Sequence, residues 1–217
     1  MKKISLCLIF ACLAAMGFSQ KLEISVGAGL SLSALMGPAT VDVNGVKFDY
    51  TMNVKKLGLN VFGDLTYFLV NLDTIVDLGN TEVITTSTVL DVVDQLNKNS
   101  IDMAISLYGK LPISLGFGLN VFPLIGGGYN FNATFQDKGT SSATAQTVVN
   151  YLFLGVGFGG DFSLTQNFYL RPLVLFNWIP GFNGEYYKDI LDYIPGPKTV
   201  MANGYLLKAG LNIGFKL

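Results

Sequence analysis

Few side chains in this sequence are suited to chemistry. The chain has no histidine, its two cysteines are Cys7 and Cys12, and Arg171 is its only arginine. Serine–histidine hydrolysis, histidine-dependent acyl transfer and ordinary zinc sites need residues that are missing here, so the composition argues against an enzyme and against a bound cofactor or metal. What remains is charge pairing. A tight turn at Thr165–Asn167 pairs positions whose numbers sum to 332, and that register sets Asp161 opposite Arg171. A lone guanidinium inside a narrow apolar container would be costly. Asp64, Lys208, Glu23 and Lys216 are therefore expected to join the pair in a hydrogen-bonded network that plugs a lumen.

Other motifs fail on context. Gly155–Gly160 reads GVGFGG and fits a dinucleotide fingerprint literally, but apolar alternation runs straight on to Phe162 and Leu164 where that fingerprint needs a helix. Glycine on an inner face is better explained as room for bulky neighbours. Glu185, Asp189 and Asp192 lack the spacing of a calcium loop and read as a solvated acidic loop. The NAT triplet at Asn132 is a glycosylation sequon only in a eukaryotic secretory route.

The elements that must position these residues are long strands. In KLEISVGAGLSLSAL (21–35) the even positions from Leu22 to Ala34 are aliphatic, and the odd ones between them are Glu, Ser and Gly. A period of two held for thirteen residues is about twice an ordinary strand. Residues 57–69, 101–111, 119–135, 148–164, 168–180 and 200–217 alternate in the same way. That makes seven strands, and a closed antiparallel barrel of the bacterial type needs an even number, so Thr74–Ile84 is assigned as the missing one. Val89, Val92, Val93 and Leu96 recur at helical spacing, which predicts a short helix in the loop that follows. Asn44-Gly45 predicts a two-residue type I′ hairpin with partners summing to 89, and Gly37-Pro38 is a candidate bulge within it.

Composition and targeting signals agree with a membrane barrel. Lys2, Lys3 and the apolar run that follows them, ending at Gly17 and Ser19, read as a secretory leader over 1–19, leaving 20–217 as one domain. Phe10 stands where a lipoprotein signal before Cys12 would carry a small residue. Beyond the leader 12 basic residues face 15 acidic ones, so no electrostatic footprint for nucleic acid exists. Half the chain is hydrophobic, yet no mature segment is apolar for eighteen residues in a row. An all-β, closed, antiparallel up-and-down eight-stranded transmembrane β-barrel follows: its apolar face meets lipid, and its Ser and Gly face lines the lumen.

The mature chain resembles the small eight-stranded outer-membrane barrels, the OmpA transmembrane domain, OmpX and OmpW families. The sharpest likeness is in the last strand, where Lys208, Gly210, Ile213 and Phe215 fill the C-terminal insertion pattern, although Lys216 and Leu217 follow the aromatic residue. The resemblance implies the outer membrane of a diderm bacterium, with outer-membrane lipid and the barrel-assembly machinery as partners.

Three functions are open at this point. The first is a plugged barrel acting through outer loops as adhesin, receptor or structural anchor, with Tyr186, Tyr187 and Tyr193 in loop 181–199 as the contact candidates. The second, implied by the OmpW likeness, is a narrow conduit for small hydrophobic ligands, for which Phe62, Phe122, Leu124 and Tyr151 are candidate apolar lining of the upper lumen. The third is a soluble lipocalin-type barrel. The small polar inner face opposes that one.

Overall fold

The computed structural model describes residues 22–87, 94–136, 144–181 and 198–217. Residues 1–21, which include the expected leader, and most of loop 181–199, with Tyr186, Tyr187 and Tyr193, lie outside the described residues. The strands are β1 (Leu22–Val43), β2 (Val46–Tyr67), β3 (Val70–Ser87), β4 (Asp94–Lys110), β5 (Ile113–Gly116), β6 (Leu119–Gln136), β7 (Thr144–Ser163), β8 (Phe168–Ile179), β9 (Lys198–Ala202) and β10 (Gly204–Lys216). All neighbours are antiparallel. The ladder runs β1-β2-β3-β4-β6-β7-β8-β10 and closes by pairing of β10 with β1. Pro112 lies between β4 and β5, both of which pair with β6, and β9 extends the β10 side of β1, so ten segments make eight staves.

Asn44 and Gly45 adopt φ of 54° and 85°, as a type I′ turn requires. From that turn β1 and β2 pair without interruption from Val43↔Val46 to Leu22↔Tyr67, so the register summing to 89 holds and no bulge forms at Gly37-Pro38. The weakly patterned third strand is present and longer than Thr74–Ile84, with Leu72 and Leu78 exposed outward and Asp73 and Asp77 buried inward. The helix expected over 89–96 is corrected over its last part. Asp94, Gln95 and Leu96 belong to β4 and pair with Thr85, Ile84 and Val83, while 88–93 lie outside the described residues. Cross-strand hydrogen bonding outweighs a three-to-four-residue apolar period here, as tertiary context commonly does.

The exterior is an apolar belt. On β2 the exposed column is Tyr67, Leu65, Val61, Leu59 and Leu57, with Gly63 in the same row, and it gives way to Lys55. Ten steps from Leu57 to Tyr67 at about 3.3 Å each, tilted by about 40°, rise about 25 Å, the height of a hydrocarbon band. Aromatic residues gather toward both edges. Phe168 and Phe215 touch at 4.9 Å near the end where the chain terminates, and Phe176 and Tyr205 stack at 6.3 Å near the other.

Inside, glycines make room for large partners directly across the ladder. Gly27 faces Phe62, Gly159 faces Phe122 and Gly214 faces Tyr169. A Cβ at Gly27 or Gly159 would sit 2.5 Å from the facing ring. The GVGFGG stretch is therefore a strand whose inner glycines admit Asn177 and Phe122.

Candidate functional site: two charge tiers in the lumen

Alternation along each strand delivers acidic and basic side chains to the lumen, and closure sorts them into two tiers. The lower tier lies near the short turns. The β7–β8 register, fixed by Phe162↔Leu170 and Gly159↔Leu173, brackets Asp161 and Arg171. The Arg171 guanidinium donates from Nε to Asp161 Oδ1 at 2.7 Å and from Nη2 to Asp161 Oδ2 at 3.1 Å. Its Nη1 bonds the Asp64 carboxylate from across the lumen. Three rings surround the same group: Tyr169 at 4.7 Å, Phe62 at 5.4 Å and Phe122 at 5.5 Å. Arginine suits this place because one planar fork bonds two carboxylates while its faces stack on aromatics.

The tier extends to the rim. Lys216 Nζ lies 3.0 Å from Glu23 and 3.6 Å from Asp161. Asn71 donates to Thr66 at 2.8 Å and to Asp64 at 3.4 Å. Lys110 is buried beside them, donating to Thr66 at 3.5 Å and resting 4.5 Å from the Phe122 ring centre.

The upper tier lies toward the long-loop end. Lys56 bonds the Asp102 carboxylate and also donates to the carbonyl oxygens of Asp77 at 3.0 Å and Ser100 at 3.5 Å. Asn132 donates to Asp102. Lys208 pairs with Asp77. Lys208 therefore corrects the sequence-based grouping: it lines the lumen, but the Ser33↔Lys208 register of the β1–β10 seam carries it up the wall, where its ion pair is with Asp77. Glu23, Asp64, Asp161, Arg171 and Lys216 do come together. The conduit candidates divide as well. Phe62 and Phe122 pack around Arg171 in the lower half, with Leu124 just above Phe122 on β6, and only Tyr151 lines the upper cavity.

Sequence reasoning named none of Lys56, Asp77 and Asp102 as site residues. The signal was available: Asp102 falls on the inner parity of its strand, and so do Asp77 and Lys56 once β2 and β3 are paired. Of the C-terminal pattern, Ile213 is exposed on the lipid face in line with Phe215, while Lys208 and Gly210 turn inward.

A closed eight-stave barrel with an apolar exterior and a charge-filled interior defines a class, the small outer-membrane β-barrels. The structure overlaps that of the outer membrane protein OprG from Pseudomonas aeruginosa with a TM-score of 0.58 at 10% identity, covering 91% of this chain and 97% of that one. Neisserial surface protein A matches with a TM-score of 0.42 at 13% identity, covering 88% and 99%. Ail, the attachment invasion locus protein of Yersinia pestis, solved with a heparin analogue, matches with 0.36 at 11% over 88% and 99%. No family model and no curated protein matches the chain. The likeness to OprG is one of fold.

Proposed function

We propose that this chain is a surface protein of the outer membrane of a diderm bacterium, with a barrel that is a closed frame rather than a pore. Its outer loops, above all 181–199 with Tyr186, Tyr187 and Tyr193, make the contact with an extracellular partner as adhesin, receptor or structural anchor. The observation that carries this reading is the lower tier: Arg171, clamped between Asp64 and Asp161 and ringed by three aromatic side chains, occupies the lumen at the short-turn end. An eight-stranded barrel is just wide enough for its inner side chains to fill it. Lys208, Gly210, Ile213 and Phe215 serve as the signal read by the barrel-assembly machinery.

Deletion of 184–196 tests the loop assignment. Heat-modifiable gel mobility should persist, and cells displaying the deletion should adhere to immobilised extracellular matrix less than cells displaying the native chain. Equal adhesion removes the loop from the account, and loss of the folded band makes it structural. Orientation is checked by cysteines placed at Asn97 and Gly116, of which only the first should be labelled from outside the cell.

One observation favours the conduit as the second reading. A cavity of about 50 Å³ opens at the upper tier, walled on its apolar side by Leu35, Val54, Tyr151 and Leu206 and elsewhere by polar residues that include the two ion pairs of that tier. Asp77 and Asn130 belong to the same wall, and their Oδ1 and Nδ2 atoms have no hydrogen-bond partner among the described residues. Uptake of small apolar solutes into vesicles by the native barrel, abolished by filling the cavity with Leu206→Trp, would promote it.

A further inference from the structure

The charges of the upper tier balance among themselves. Two ammonium groups face two carboxylates, Lys56 with Asp102 and Lys208 with Asp77. An ammonium has three donors, and Lys56 finds three acceptors: the Asp102 carboxylate, the Asp77 carbonyl oxygen at 3.0 Å and the Ser100 carbonyl oxygen at 3.5 Å. Both oxygens of Asp102 are taken, one by Lys56 and the other by Asn132. The Thr81 and Ser100 hydroxyls bond each other at 2.6 Å.

Against that background Asp77 and Asn130 stand out. Asp77 gives Oδ2 to Lys208, while its Oδ1 has no hydrogen-bond partner among the described residues, and neither has Asn130 Nδ2. The ladder accounts for the difference between the two asparagines of β6. Asn132 reaches the Asp102 carboxylate, whereas Asn130 stands between Ala104 of β4, which has no side-chain acceptor, and Tyr151 of β7. Asp77 and Asn130 are each more than nine-tenths buried, and both belong to the wall of the cavity. One leftover atom is an acceptor and the other a donor, and they do not bond each other. An unpaired polar atom at such depth is costly, so a guest that supplies one donor and one acceptor relieves both.

The rest of the wall limits that guest. The four charges sum to zero, so an ion entering beside them would be desolvated without a counter-charge or would have to break a pair. A purely apolar guest suits Leu35, Val54 and Leu206 but leaves Asp77 and Asn130 unpaired. At about 10–15 Å³ for each water-sized group, a cavity of this volume takes about four heavy atoms.

We infer that the upper tier is a binding site for small uncharged amides. The amide carbonyl accepts from Asn130 Nδ2, its N–H donates to Asp77 Oδ1, and its hydrocarbon end lies against Leu35, Val54 and Leu206. This holds for a closed frame and for a conduit alike, because binding at the upper tier does not require passage through the lower one.

Acetamide, isobutene, acetate and acetamidinium are planar molecules of nearly one shape that differ in hydrogen bonding and charge. Each is titrated onto the native barrel in phosphatidylcholine nanodiscs, and saturation transfer from the protein to the ligand methyl is read by NMR. Only the signal lost in Leu206→Trp, which fills the cavity, is counted, so partition into lipid drops out. Acetamide should bind about tenfold more tightly than any of the other three. Asn130→Leu, with heat-modifiable mobility confirming the barrel, should abolish that preference by weakening acetamide and strengthening isobutene. Where a substitution prevents folding, displacement of acetamide from the native barrel by each of the other three makes the same comparison. Isobutene binding as tightly as acetamide would make the cavity an apolar one and overturn the site. Tighter binding of acetate or acetamidinium would overturn it in favour of an ion site, and no cavity-dependent signal from any of them would leave the cavity to water.

Discussion

The lower tier is centred on one guanidinium with the Lys110 and Lys216 ammonium groups beside it, and the upper tier on the ammonium groups of Lys56 and Lys208 alone. At Arg171, Asp64 and Asp161 the side chains are 7%, 1% and 5% exposed, and the cation makes three bonds within a collar of rings. At the upper tier Lys56 and Asp77 are buried as deeply, at 5% and 7%, but their partners Asp102 and Lys208 are 17% and 14% exposed, and all four line a cavity. A planar fork locks two carboxylates in one geometry, whereas a flexible point charge tolerates several. The difference separates two roles. On the proposed reading the short-turn end is the seal and the long-loop end an adjustable vestibule.

The largest effect that comparison predicts is at Arg171. Arg171→Ala leaves Asp64 and Asp161 buried with only the long contacts from Asn71 at 3.4 Å and Lys216 at 3.6 Å, which costs about 3–5 kcal/mol in urea unfolding from vesicles. A loss under about 1 kcal/mol would remove the distinction between the tiers. Next comes the packing behind the seal. Gly214→Val drives a branched side chain into the Tyr169 ring beside Arg171, with a loss of about 1–3 kcal/mol. Tyr169→Ala in the same chain should recover part of that loss, and strict additivity would show that ring and glycine are not coupled.

A smaller effect is expected above. Lys208→Met removes the ion partner of the Asp77 carboxylate, but the pair borders a cavity that water can enter, and the Lys56 ammonium stays close by, 3.0 Å from the Asp77 backbone carbonyl, so the loss should be about 1–2 kcal/mol with no new leak. A leak would move the seal to the upper tier. The smallest is at the rim: Lys216 and Glu23 are 26% and 35% exposed, and Lys216→Ala should cost under about 1 kcal/mol and respond to salt.

Much of this was legible in the sequence because barrel physics is local. Asn44-Gly45 fixes one hairpin over its whole length, and Thr165–Asn167 brings Asp161 to Arg171, since a tight turn and a period of two together determine both partner and face. What depends on closure was not legible. Lys208 was grouped with Arg171 because the β1–β10 seam has no turn to set its register, and the same ignorance hid the pairing of Asp77 with Lys208. Leu96 failed differently. Its helical spacing with Val92 and Val93 was genuine, but the pairing with Val83 that overrides it follows a connection too long for a turn rule to bridge.

The central claim, a lumen closed at its lower tier, is tested most directly by single-channel recording in planar bilayers of the native chain beside Arg171→Ala, each confirmed as folded by gel mobility. The native barrel should show no stable open level, and Arg171→Ala should give a small, persistent leak. A steady native conductance of porin size, unchanged by the substitution, would contradict the seal and leave Arg171 a structural residue in an open channel.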